Sequence, residues 1–136
     1  MDNDNKYGIR ELPNIETVVK YEEKYWGDMS TLFDQDGYSI KKIRMKAGTQ
    51  SSMEYHVHKK ESYYIEKGLL QLGLRIGRGE NKSLVLSEGD VVHIPVGLMH
   101  MRMAIQDTTI IEVSTTDDDN DSHIVEDGKT YNFVEN

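Results

Sequence analysis

Glu54-Tyr55-His56-Val57-His58-Lys59-Lys60-Glu61 is the stretch on which the reading of this 136-residue chain turns. On an extended strand, side chains alternate between faces, so His56 and His58 are expected on one side, with Glu54 in the same phase. Two imidazoles at i, i+2 can hold one metal ion between them. Glu61 follows after a short turn, and Gly68 closes the hairpin beyond it. A further ligand has to come from a neighbouring strand. His100 is the candidate, presented by a turn shaped by Pro95 and Gly97. His56, His58, Glu61 and His100 form a mixed nitrogen and oxygen set. It suits one divalent ion, Fe(II), Mn(II), Ni(II), Co(II) or Zn(II), without choosing among them. The plainer alternative is two surface histidines and a third that caps a turn.

Outward from this stretch, short β-rich runs broken by glycine extend from about Tyr38 to Thr116. They are Ser39–Met45, Ser62–Glu66, Leu69–Ile76, Ser83–Leu86, Val91–Ile94, Met101–Ile105 and Thr109–Ser114. Such spacing predicts an all-β antiparallel sandwich or barrel over residues 26–116. Residues 1–25 form an N-terminal segment, in which Asn14 to Trp26 reads either as a short helix capped at Asn14 or as an outer strand. Residues 117–136 read as an acidic C-terminal tail that packs along the barrel or stays mobile. No internal repeat is present.

Composition narrows the function classes. The chain has no cysteine, which removes thiolate zinc sites, thiol nucleophiles and iron–sulfur clusters. Net charge is −8, and residues 105–136 carry nine acidic side chains against one basic. That distribution argues against a nucleic-acid surface, which needs clustered Lys and Arg. The nearly neutral middle of the chain can host an anionic small molecule. The polar, acidic start lacks a secretory apolar run, and no stretch approaches the ~20 apolar residues of a membrane span. A soluble cytoplasmic protein, without membrane or nucleic-acid partners, is the expectation.

The two elements, Gly48 … His56-x-His58 … Glu61-x6-Gly68 and Gly89-x5-Pro95-x-Gly97-x2-His100, resemble the cupin signature. Within cupins the chain is most similar to the isomerase domain of type II phosphomannose isomerases. That family's motif aligns without gaps on Tyr38 to Gly68, with matches at Tyr38, Lys41, Ile43, Gly48, Ser52, Tyr55, His56, His58, Glu61 and Gly68. Trp26-Gly27, Ile111-Glu112-Val113 and Glu126-Asp127 with Tyr131 extend the likeness to nearly the whole chain. Departures are Glu54 for Gln, Lys59 for Arg, Met101 for Arg and Ala104 for Asn. The resemblance implies a double-stranded β-helix, or jelly-roll barrel, holding one divalent metal. It also implies a role in carbohydrate metabolism, as a mannose-6-phosphate isomerase acting on a phosphorylated sugar. The rival readings are another metal-dependent cupin enzyme (oxygenase, or sugar epimerase or lyase) and a non-catalytic cupin that senses sugar or metal.

Aldose–ketose isomerisation needs a base beside a polarised carbonyl. Glu54, in phase with His56, is the candidate for the base, with a fifth ligand or a carboxylate orienting an imidazole as its other roles. Arg102 shares the phase of His100 and is the candidate for a catalytic, phosphate-binding cation. Lys41, Lys59 and Tyr63 are the further substrate-binding candidates. Met99, Met101 and Met103 with Ile105 alternate against His100 and Arg102, so this apolar stripe faces outward, toward another subunit or a covering segment. A homodimer is expected from it. His93 reads as a buried or rim histidine, and nothing is assigned to His123.

Overall fold

Alternation sets the faces of β3 (Tyr38–Met45) and β10 (Thr108–Ser114). The computed structural model describes Gly8, residues 12–18 and residues 20–136. It contains β1 (Lys20–Lys24), β2 (Gly27–Gln35), β3 (Tyr38–Met45), β4 (Met53–Tyr55), β5 (Glu61–Lys67), β6 (Leu69–Ile76), β7 (Glu80–Ser87), β8 (Val91–Ile94), β9 (Met99–Ala104), β10 (Thr108–Ser114) and β11 (His123–Glu126). On β3, Ser39, Lys41, Ile43 and Met45 are buried while Tyr38 and Arg44 are exposed. On β10 the buried set is Thr108, Ile110, Glu112 and Ser114. A period of two with one face covered is what a sheet packed on another sheet requires.

The strands form two antiparallel sheets, ordered β1-β2-β3-β10-β5-β8 and β11-β4-β9-β6-β7. Neighbours such as β3 and β10 are far apart in sequence, the crossing pattern of a jelly roll. Trp26, Ile43, Met45, Tyr63, Ile65, Leu70, Leu72, Leu86, Ile94, Ala104 and Ile110 pack between the sheets.

Along these inward rows the chemistry changes partway. Ile110 sits opposite both Ile43 and Ile65, whereas Glu112, two residues on, sits opposite Lys41 and Tyr63. On the other sheet Ala104 pairs with Leu70, and His100 pairs with Leu74 and, across β4, with Glu54. One end of the barrel is therefore an apolar plug, and the other is lined by ionisable groups. Buried charge is stable only when paired or put to use, which makes that end the place to look for function.

The flanking segments resolve two alternatives. Lys20–Lys24 is an outer strand, pairing Lys20 to Thr31 through Lys24 to Gly27. No α-helix occurs among the described residues. The open edge of β2 offers this segment a complete ladder, and tertiary pairing overrides its weak local preference. The C-terminal segment packs along the barrel. His123, Ile124 and Glu126 pair with β4, and Gln50 Nε2 donates to the carbonyls of Gly128 and Tyr131 at 2.8 and 2.6 Å. Phe133 lies over Gly73, where a β-carbon would stand 2.7 Å from Phe133 Cε2 and 3.0 Å from Met103 Cε. Met101 is fully buried. The chain's own end covers part of the methionine stripe on which a homodimer was expected, while Met99 and Met103 stay partly exposed and Ile105 is exposed. No helix among the described residues is long and apolar enough to cross a membrane.

Gly68 has φ +101°, and a β-carbon there would collide with the Asp107 carbonyl and stand 2.7 Å from Thr108 Cα. Gly68→Ala is expected to cost about 2 kcal/mol or more, read as a Tm lower by several degrees. Gly79→Ala also has a positive φ, +81°, but open space around it. It should lower Tm less in the same melt.

Candidate metal centre

Glu54 and His100 face each other across β4 and β9, and His56 follows directly after β4. Each imidazole is tied down on its outer nitrogen. His56 Nδ1 lies 3.0 Å from the Asp121 carbonyl oxygen, and His100 Nδ1 lies 2.8 Å from that of Leu98. A carbonyl only accepts, so each Nδ1 carries a proton and each Nε2 is turned inward. Both Nε2 atoms meet a carboxylate. Glu61 Oε1 lies 2.7 Å from His100 Nε2 and 3.4 Å from His56 Nε2, and Glu54 Oε1 is 3.8 Å from His56 Nε2. Ligand atoms of Glu54, His56 and His100 all lie within 4.8 Å of one another. Both Nε2 atoms and Glu61 Oε2 are buried without a hydrogen-bond partner.

Two imidazole nitrogens and carboxylate oxygens converging in a buried site suit a shared cation. Metal bonds of about 2.0–2.2 Å bring neighbouring donor atoms to roughly 3 Å, the spacing seen here. The donor set Glu54, His56, Glu61 and His100 therefore fits a divalent ion, with the outer hydrogen bonds that orient such ligands already in place. Charge is favoured on both sides of the cluster. Burial opposes ionisation of Glu61, yet His100, His56 and Lys59 hold its carboxyl well below the usual range. Burial likewise opposes charge on His56, and the Glu61 carboxylate outweighs it and raises the imidazole pKa.

His58 is not in this set. The alternation that was to carry it ends with β4 at Tyr55, and the backbone bends at Val57 and His58. The bend is held by Asp121. Its Oδ1 accepts from Val57 N at 2.8 Å, and its Oδ2 accepts from His58 N and Lys59 N at 3.0 and 2.9 Å. The His58 side chain is left exposed. Glu54-x-His56 takes the register that His56-x-His58 was expected to fill, and Glu54 stands among the donors, the ligand position weighed for it beside that of base. Its Oε2 accepts from Ser122 Oγ at 3.2 Å.

A cavity of about 750 Å³ opens beside the cluster, lined among others by Trp26, Lys41, Glu54, Lys59, Arg102 and Glu112. Lys59 is buried, with Nζ 3.1 Å from Asp117 Oδ1, 3.6 Å from Glu61 Oε2 and 3.9 Å from Glu112 Oε2. Lys41 Nζ pairs with Asp117 Oδ2 at 2.9 Å. Arg102 is buried with its guanidinium 5.3 Å from the Trp26 ring centroid. Its Nη1 donates to Tyr63 Oη at 3.1 Å, and Tyr63 Oη donates to Glu61 Oε1 at 3.2 Å. Tyr63, read as a cavity-lining substrate contact, is instead fully buried behind the wall, where it links Arg102 to Glu61.

Sequence reasoning passed over Glu112 and Asp121. Glu112 had a signal, a lone carboxylate in the inward phase of Thr108, Ile110 and Ser114. It is buried, its Oε2 has no hydrogen-bond partner, and burial, reinforced by Glu61, pushes its carboxyl up to about 7. Asp121 had none, because it looked like one of a solvated acidic run.

The model of the cupin family matches residues 32–132, about three-quarters of the chain. The chain belongs to the cupin family. This cupin is 31% identical over 91 residues to a mannose-1-phosphate guanylyltransferase of Salmonella montevideo, a match covering 65% of this chain and 18% of that protein. It therefore spans less than a fifth of the length of that relative. Among solved structures, KdgF from Halomonas sp. superposes with TM-score 0.66 at 15% identity, over 79% of this chain and 98% of that one. CapF, a capsular polysaccharide assembling protein from Staphylococcus aureus, gives 0.67 at 21% identity over 79% and 34%. Oxalate decarboxylase from Bacillus subtilis gives 0.68 at 16% over 85% and 34%. These structural likenesses establish the fold.

Two measurements check the assignments. Titration with Zn(II) or Mn(II) should find His58→Ala close to wild type. His100→Ala should bind more than about 100-fold more weakly, beyond the usual loss from an outer partner. For Glu112, a folded-state pKa above the unfolded 4.5 means the folded chain binds the extra proton. That contribution is full below pH 4.5 and is lost as pH rises toward about 7. In metal-free melts, Glu112→Gln should therefore gain Tm relative to wild type between pH 5 and pH 8.

Proposed function

We propose that this cupin is a metal-dependent sugar-phosphate isomerase, interconverting an aldose phosphate of the mannose type and its ketose. Arg102 carries the reading. Its guanidinium is buried on the cavity wall, its Nε has no partner, and among the described residues no carboxylate lies within 4.0 Å of it. A buried cation without a counter-ion is costly, and a planar guanidinium held against Trp26 is suited to a phosphate. The sequence likeness to mannose-1-phosphate guanylyltransferases and to the isomerase domain of type II phosphomannose isomerases supports a sugar phosphate of this class.

A divalent ion held by Glu54, His56, Glu61 and His100 supplies Lewis acidity to a substrate carbonyl. The chain's own residues do the rest. Arg102 binds the phosphate and fixes the sugar in the cavity, with Trp26 as its floor. Glu112, which lines the same cavity, takes the proton from C2 of the aldose and returns it to C1. A hydroxyl proton passes from O2 to O1 in the same conversion. Lys59, 3.9 Å from Glu112, steadies the carboxylate while it is ionised.

Metal-loaded protein and mannose 6-phosphate in D2O should show loss of the C2 proton signal and appearance of fructose 6-phosphate. Arg102→Ala should raise KM by about 10- to 100-fold, as expected for removing a hydrogen bond to a charged group. No exchange with any of the five divalent ions overturns the assignment.

A further inference from the structure

The geometry points to Asp121 as a positioning residue that makes cation binding and docking of the C-terminal segment a single event. This rests on the metal-centre reading. Asp121 acts through two different groups. Its backbone carbonyl accepts from His56 Nδ1 at 3.0 Å and so fixes the tautomer that turns Nε2 inward. Its carboxylate, buried with the side chain, gathers the successive amides of Val57, His58 and Lys59. That grip bends the loop just past β4, turns His58 out and brings Lys59 in. One residue, 65 positions from His56 in sequence, thereby decides which histidine points at the cluster.

Its neighbours reach the same site. Asp117 pairs with Lys41 and Lys59 at 2.9 and 3.1 Å, and Ser122 donates to Glu54 at 3.2 Å. The stretch from Asp117 to Ser122 thus closes the fourth side of the cavity. It is held from behind by β11 on β4, by Arg75 on Glu126 and Tyr131, and by Phe133 on Gly73. If the docked segment favours the cation, the cation must favour the docked segment to the same extent.

The test uses the full chain with Co(II) and Zn(II) as probes. Wild type should bind Co(II) with a ligand-field spectrum of mixed nitrogen and oxygen ligation. Asp121→Ala should bind about 10- to 100-fold more weakly, the loss typical of removing an outer partner. Its spectrum should shift, and 15N NMR should show His56 losing its single Nδ1–H tautomer. Asp36→Ala removes the same charge from an exposed turn outside the cavity lining and should match wild type. In the reverse direction, Zn(II) should slow hydrogen exchange of the Val57, His58 and Lys59 amides in wild type. If Asp121→Ala does not fold, Asp121→Asn decides, since it keeps the shape but puts an amide among amide donors. A folded variant with wild-type Co(II) affinity and an unchanged His56 tautomer overturns the inference while leaving the metal centre intact. A wild-type chain that binds neither ion overturns the metal centre itself, and this coupling with it.

Discussion

Two imidazole nitrogens and a buried carboxylate are held face to face at one end of the barrel, and the local architecture follows from that constraint. Both Nδ1 atoms are committed to backbone carbonyls, so both rings keep Nε2 turned to the carboxylate. Glu61 is walled in by the sheets and keeps its charge only because cationic groups surround it. The donor set fits a divalent ion, with outer hydrogen bonds to both imidazoles already in place. The apolar plug beneath, from Ile43 to Ile110, supplies the low dielectric that makes each of these interactions strong.

Around that centre lies a layer of charge whose members differ in what they have available. Lys41 and Lys59 are matched by Asp117, so their charges are largely settled within the fold. Arg102 rests on two aromatic rings and a tyrosine hydroxyl, without a carboxylate of its own. Glu112 stands among like and unlike charges with burial dominating, which keeps its proton exchangeable near neutrality. Paired groups build the wall, while Arg102 and Glu112 lack a matched partner within it. Tyr63 joins the layers, because its hydroxyl spans Arg102 and Glu61.

Much of this was legible from the chain because β-structure encodes itself at short range. Period-two alternation put Glu54 in phase with His56 and Arg102 in phase with His100, and the glycines between runs marked the turns correctly. The same rule misled where the strand stopped. Alternation holds only while the backbone stays extended, and β4 is three residues long. The parity argument was sound for Glu54 with His56 and failed one step later for His58. The methionine stripe was rightly read as facing away from the histidines. What covers it was a question of where the last residues travel.

The sequence by itself determined the all-β class, the inward faces and the chemical character of the site, since those depend on neighbours one to three positions apart. Tertiary structure alone decided which of two adjacent histidines joins the cluster, that Glu112 borders the cavity, and that an acidic tail becomes the site's fourth wall. Each of those depends on contacts between residues 50 or more positions apart, such as Asp121 on His56 and Lys59 on Glu112. Local patterning carries no record of where the chain returns, and here the return of the C-terminal segment sets the geometry of the centre.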